Sequence, residues 1–183
     1  ALDRAHSRFN RATMVTLTVP PFAYDSLADA AEALSENVSR FNQWLEYQVG
    51  YHPAKVTSWE VQDTGQLHAH IVLFGVRAGD GDTTTGEPVL SGQDVRDYWN
   101  NTRDIGRQIA VQTVDKARDG WVLSHGDGDV SLEYYLGKFA RDLVDLADRD
   151  AGELEKDGVG KWKHAVMWAL NRRYVTVSPE LRS

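Results

Sequence analysis

His68-Ala69-His70 sets two imidazoles at alternate positions of an apolar run, Leu67 to Phe74. In an extended strand, alternate residues leave the same face, so both rings can converge on one cation. A second run, Lys55 to Val61, precedes it across a short turn containing Asp63-Thr64-Gly65. If those residues form a three-residue hairpin loop, with glycine in the left-handed position of a bulge, Gln62 faces Gln66. Counting outward then puts Glu60 opposite His68 on the same face. A two-residue Thr64-Gly65 turn would send Glu60 to the other face and leave the histidines without a carboxylate. Two imidazoles and one carboxylate, with no thiolate, suit Mn²⁺ or Mg²⁺ acting on a phosphate; zinc, cobalt or nickel would also bind, and the ligand set leaves the choice open. The competing reading is that His68 and His70 are polar residues on the solvated face of a half-buried strand.

A second group with chemical potential is Glu133-Tyr134-Tyr135-Leu136-Gly137-Lys138-Phe139. On a helix, Lys138 is a same-side neighbour of both Tyr134 and Tyr135. A phenol with its ordinary pKa of about 10 is a poor nucleophile and needs a nearby cation to favour phenolate. Lys138 and a bound metal would supply one. Spacing alone favours the other reading, in which the tyrosines and Phe139 are core aromatics and Lys138 is a solvated flank.

These groups must be held by regular elements. Met14 to Val19 is β-branched and apolar and is stopped by Pro20-Pro21, which predicts a buried strand. Ser26 opens a helix whose apolar positions (Leu27, Ala31, Leu34, Val38, Phe41, Leu45, Val49) recur at helical spacing until Gly50 closes it. Ala78 to Gly92 is rich in Gly, Asp and Thr and reads as an exposed loop. A helix over Gln93 to Asn101, a strand over Gln108 to Val114 and a short apolar piece, Trp121 to Leu123, are expected next. Helix resumes near Ser131 with a stripe of Leu132, Tyr135, Leu136, Phe139, Leu143 and Leu146. Acidic Asp148 to Asp157 interrupts before a helix over Trp162 to Leu170, and a strand over Tyr174 to Val177 ends the order. Mixed helices and strands around a central hairpin predict an α+β fold, an antiparallel sheet backed by helices. His6, His52, His125 and His164 read as surface or locally hydrogen-bonded residues, and the tryptophans as core or rim packing, with an exposed one free to stack on a base.

The 183 residues fit one domain with a real core, and the 42% apolar and 26% charged fractions are ordinary globular usage. The chain has no cysteine, which excludes disulfides, thiolate nucleophiles and zinc-thiolate sites. No apolar run is long enough to span a bilayer and no leader pattern opens the chain, so a cytoplasmic protein without a membrane partner is expected. The net charge of −7 opposes phosphate binding unless the charges are segregated. They are. Acids crowd Asp80 to Asp104 and Asp142 to Asp157, whereas Arg4, Arg8 and Arg11 lead the chain and Lys161, Lys163, Arg172, Arg173 and Arg182 gather near its end. Asp outnumbers Glu 18 to 9 and Arg outnumbers Lys 14 to 6, a bias familiar from salt-loving organisms.

Taken in chain order, Thr16-Leu17-Thr18, then Glu60 through Gly65 to His68-Ala69-His70, then Tyr135-Leu136-Gly137-Lys138 resemble the three motifs of the HUH endonuclease superfamily, and within it the rolling-circle replication initiators of plasmids and viruses. Arg172-Arg173-Tyr174 is similar to archaeal plasmid and virus initiators. Phe139 stands where many members carry a second tyrosine, so the chain resembles the single-tyrosine branch. The resemblance implies a ferredoxin-like (RRM-like) antiparallel sheet flanked by helices. It also implies metal-dependent nicking and joining of single-stranded origin DNA through a 5′-phosphotyrosine that leaves a free 3′-hydroxyl. Under it, Glu60, His68 and His70 hold Mn²⁺ or Mg²⁺, Tyr135 is the nucleophile with Tyr134 as the fallback, and Lys138 balances charge. Arg8, Arg11, Lys161, Lys163, Arg172 and Arg173 are the expected DNA contacts, and a host helicase or polymerase would be a partner. Residues 1–183 would then be one HUH nuclease domain, either alone or as the nuclease part of a longer protein. A transposase or relaxase of the same superfamily, a non-catalytic DNA-binding module and a small metal hydrolase unrelated to DNA are the alternatives.

Overall fold

The computed structural model describes residues 1–20, 23–62, 66–79, 89–102, 109–125, 128–138, 167 and 173–182. The elements run α1 (Leu2–Arg8), β1 (Ala12–Val19), α2 (Leu27–Val49), β2 (Ala54–Val61), β3 (Leu67–Phe74), β4 (Arg77–Ala78), β5 (Val89–Leu90) and α3 (Gly92–Arg96). They continue with a π-helical turn (Asp97–Thr102), β6 (Ile109–Ala117), β7 (Gly120–His125), β8 (Gly128–Ser131), a helix α4 over residues 132–138, β9 (Val175–Val177) and a 3₁₀ turn (Pro179–Leu181).

Seven strands form one sheet in the order β8-β7-β6-β1-β3-β2-β9, with every pairing antiparallel. Its centre, β6-β1-β3-β2, with α2 between β1 and β2 and α3 between β3 and β6, is the βαββαβ arrangement of a ferredoxin-like α+β fold. The expected fold class is therefore observed, widened by a β7-β8 hairpin at one edge and by β9 at the other.

α2 forms as its sequence dictates. Ser26 Oγ accepts the backbone N–H of Asp29, capping an otherwise orphaned donor, and Gly50 closes the helix at φ 79°, a left-handed conformation in which its N–H donates to Glu46 O. Ala31, Leu34, Val38, Phe41 and Leu45 bury the predicted stripe against Leu17, Ala69, Ile71 and Leu73 of the sheet. A second core lies on the other face, where Met14, Val72, Phe74, Trp121 and Leu123 meet Ala5 of α1, Leu132 and Leu136 of α4, and Leu181. Because both faces are covered, all eight residues of β3 are buried. Burying Leu132 and Leu136, one turn apart, is worth roughly 1.5–3 kcal/mol each, which seats α4 on the sheet.

Several expectations are corrected. The stretch Ala78 to Gly92 is not loop throughout: Arg77–Ala78 and Val89–Leu90 pair in parallel, and Leu90 is buried in the α2 core. Two-residue strands have no period to read. The helix at Gln93 to Asn101 exists, but it widens at Asp97 into the π-helical turn, which seats Trp99 so that its Nε1–H donates to Thr18 O at 3.0 Å. The strand at Gln108 to Val114 runs on to Ala117, where Lys116 Nζ donates to Phe9 O. Helix α1 and strand β8 have no counterpart in the sequence reading. The expected helix over Trp162 to Leu170, the acidic segment Asp148 to Asp157 and the helix beyond Lys138 lie outside the described residues, apart from Met167, which is buried with the α2 core. No helix among the described residues is long and apolar enough to cross a membrane.

Candidate metal centre

Register decides the site. β2 and β3 pair with Glu60 opposite His68 and Ser58 opposite His70, and Gln62 N donates to Gln66 O at 2.9 Å. This is the register of the three-residue hairpin; residues 63–65 themselves lie outside the described set. On the other side of β3, Thr16 faces His70 and Thr18 faces His68. The pleat therefore delivers Glu60, His68 and His70 to one face, and their donor atoms lie within 4.8 Å of one another.

Their surroundings rule out a pair of solvated histidines: His68 is 8% exposed and His70 4%. His70 Nε2 donates to Glu60 Oε2 at 2.9 Å, and its Nδ1 lies 3.0 Å from Thr16 Oγ1. The Gln62 amide sits 3.5 Å from His68 Nδ1, and His68 Nε2 is buried with no hydrogen-bond partner. An orphaned buried nitrogen costs about 1–3 kcal/mol unless something meets it. A divalent ion would satisfy this nitrogen together with its neighbours, because ligand bonds of roughly 2.0–2.2 Å place adjacent donors about 3 Å apart. Burial and the neighbouring His70 push the His68 pKa down to about 4, against a smaller upward pull from Glu60, so it offers a bare lone pair at neutral pH. Burial raises the Glu60 carboxyl, but its hydrogen bond to His70 and the charges of His70, Lys138 and His68 outweigh this and hold it below the usual carboxylate range. Both groups are thus ready to bind a cation without first losing a proton.

Below pH 6.5 the unfolded His68 takes up a proton that the folded protein refuses until about pH 4. Unfolding is favoured as pH falls through that window, so the metal-free protein should lose stability between pH 6.5 and 4 from this residue. Denaturant melts at several pH values check this: the loss should shrink in His68→Asn, and an equal loss in the variant would place its source elsewhere.

Thr16 belongs to the site through its contact with His70. When His70 Nε2 is a ligand, its proton resides on Nδ1, and Thr16 Oγ1 accepts it, which fixes the ring and its tautomer. Thr16→Val should weaken Mn²⁺ binding about 10–100-fold by calorimetry and Thr16→Ser should restore it; unchanged affinity in Thr16→Val would remove this role. The register shows this contact, whereas Thr16-Leu17-Thr18 read alone does not say which residue Thr16 serves.

α4 completes the arrangement. Leu132 and Leu136 face the core, turning Tyr135 inward and Tyr134 outward: the Tyr135 ring stands edge-on to His70, 5.2 Å between centroids at 84°, while Tyr134 is 59% exposed. Of the two tyrosines, the structure brings Tyr135 to the cluster. Burial first and the Glu60 charge second push the Tyr135 phenol up to about 12. Lys138, exposed at the end of the described part of α4, is close enough for its charge to act on Glu60.

The expected DNA-contacting cations are not gathered at this cluster. Arg8 donates to Glu180 O and lies over the Phe9 ring. Arg11 precedes β1 at the end far from Thr18, about 20 Å away along the strand, and lines a separate hollow with Arg77 and Lys116. Arg173 lies beside β2 on the α2 side of the sheet. Lys161, Lys163 and Arg172 are outside the described residues.

No protein-family model and no solved structure matches the chain. The chain is similar to "Uncharacterized protein 1" of Halorubrum pleomorphic virus 1, with 23% identity over 203 aligned positions. The alignment takes in all of this chain and 38% of that protein, so the chain spans well under half the length of its curated relative.

Proposed function

We propose that the chain is a tyrosine endonuclease of the HUH type that nicks and rejoins single-stranded DNA at a replication origin, as a rolling-circle initiator does. One observation carries the reading: an inward tyrosine, Tyr135, stands edge-on against His70 of a buried Glu60-His68-His70 cluster. Support comes from the ferredoxin-like strand order, from the register that joins Thr16 to His70, and from a relative that is a viral protein with a salt-loving host genus in its name.

Glu60, His68 and His70 would hold Mn²⁺ or Mg²⁺, and the bound ion supplies Lewis-acid polarisation of a scissile phosphate. The remaining work belongs to side chains. α4 presents the Tyr135 hydroxyl in line with that phosphate. The hydroxyl gives up its proton to solvent, its oxygen bonds to phosphorus, and the bond to the 3′-oxygen breaks. That oxygen takes up a proton and leaves as a 3′-hydroxyl, while the 5′-phosphate stays on Tyr135. Lys138 offsets the charge of the phenolate and of the crowded phosphate. Attack by a 3′-hydroxyl on the phosphotyrosine reverses every bond change and rejoins the strand.

The test is cleavage of end-labelled single-stranded oligonucleotides tiled across the encoding replicon, with Mn²⁺ and with EDTA. Cleavage at one position, dependent on the ion and leaving a 3′-hydroxyl product, is expected. Binding without cleavage in Mn²⁺ and Mg²⁺ would favour a non-catalytic DNA-binding module.

A further inference from the structure

A groove of about 510 Å³ runs along the opposite side of β2 from the metal cluster, between α2 and the segment that carries β9. Its wall includes Lys55, Arg173 and Arg182, the half-buried Trp59, and Ser39 and Asn42 of α2. Among the described residues no carboxylate lines it, although the chain as a whole carries 27 acidic against 20 basic side chains. Lys55 is shared with Glu46, 3.8 Å away, and Arg182 uses one donor on Val177 O. Arg182 keeps other guanidinium donors, and Arg173 is exposed. The Asn42 Oδ1 atom is buried with no hydrogen-bond partner. Cations for phosphates, an indole for stacking and an unmet acceptor for a base N–H together match single-stranded nucleic acid.

The groove also connects to the cluster. β9 pairs with β2 at Val56, Thr57 and Ser58, and the Trp59 N–H donates to Tyr174 O. Beyond it, among the described residues, Glu60 and Val61 have no strand partner on this side. Trp59 and Glu60 are neighbours that point to opposite faces, so the groove and the metal cluster lie on either side of the same stretch of β2, and a strand in the groove need only round that edge to reach the metal face.

We infer that the groove is a metal-independent binding site for the DNA strand that flanks the cleavage position, holding its backbone on Arg173 and Arg182 and a base on Trp59. The identity of the strand rests on the endonuclease reading above. The site would let an acidic protein bind a polyanion through one local basic track.

The test is anisotropy of a fluorescein-labelled oligothymidylate with the full chain in EDTA, over a range of NaCl concentrations. Arg173→Glu and Ser39→Glu, both at exposed positions, should each weaken binding at least fivefold, and Arg173→Glu should reduce the logarithmic salt slope by about 0.7, one single-strand phosphate contact. Arg118→Glu, which makes the same charge change as Arg173→Glu at the β6-β7 turn, should stay within twofold. Trp59→Phe, which retains a ring, should weaken binding less than Trp59→Leu. Equal losses in Arg173→Glu and Arg118→Glu would reduce the effect to overall charge and overturn the site, as would absence of binding by the wild-type chain in EDTA. Ion-dependent cleavage that survives with unaltered affinity in Arg173→Glu would sink the groove and leave the endonuclease standing. Groove-dependent binding without any cleavage would do the reverse.

Discussion

Tyr135→Phe will eliminate covalent attachment to single-stranded DNA, a loss of about a thousandfold or more, while Mn²⁺ binding and folding survive. The size follows from the role: removing an attacking nucleophile elsewhere costs up to about a millionfold, and no solvent hydroxyl regenerates a phosphotyrosine. Retention of the ring keeps its edge-on contact with His70, so stability should change by only about 1 kcal/mol. Glu60, His68 and His70 all remain, so calorimetric Mn²⁺ affinity should be largely retained. Denaturing gels of protein mixed with labelled DNA read the adduct directly. An adduct that survives in Tyr135→Phe and disappears in Tyr134→Phe would move the chemistry to the exposed neighbour. The phenol, pushed up to about 12 by burial and by Glu60, is almost wholly protonated at neutral pH. Cleavage should therefore rise with pH through the neutral range, because alkali increases the phenolate fraction.

The second large effect concerns the ligands. His70→Ala should weaken Mn²⁺ binding more than a hundredfold, beyond the roughly 10–100-fold that follows loss of an outer partner such as Thr16. The same change strips Glu60 and Thr16 of the ring that both contact. Glu60→Gln, nearly isosteric, separates charge from shape and should also lower affinity strongly, since an amide oxygen is a weaker ligand than a carboxylate for a hard cation. His52→Ala is the control: His52 pairs with Glu46 at the surface and lies outside the cluster. Ion-induced stabilisation in thermal melts gives an independent reading, because binding to the folded state alone raises the melting temperature. Equal affinity in His70→Ala and wild type would mean that the cluster is not the ion's site.

Much of this site was legible before any coordinates. Ser26 and Gly50 marked the ends of α2 because capping chemistry is local, and the stripe from Leu27 to Val49 named its buried face. The pairing of Glu60 with His68 followed from counting outward from a three-residue turn, since strand register transmits a local choice along the whole hairpin. What could not be read was set by distant packing. The burial of His68 and His70 depends on α4 covering their face, and nothing in a strand's own alternation tells whether its polar face will be roofed. Spacing likewise left Tyr134 and Tyr135 equivalent with respect to Lys138; the anchoring of Leu132 and Leu136 distinguishes them. The pairing of Arg77–Ala78 with Val89–Leu90 is too short to impose a period on a Gly- and Asp-rich stretch. Sequence position alone does not say where the basic residues gather: Arg11 and Arg173 belong to opposite ends of the sheet, which only the fold separates.

Peptide mapping of the covalent complex tests most directly whether Tyr135 and the buried cluster act together. Protein incubated with Mn²⁺ and a cleaved oligonucleotide is digested with nuclease and trypsin, and the peptide carrying a nucleotide is sequenced by mass spectrometry. A 5′-phosphoryl nucleotide on Tyr135 is expected, present with the ion and absent with EDTA or in His70→Ala. A nucleotide on any other residue, or cleavage with no phosphotyrosyl peptide at all, would contradict this.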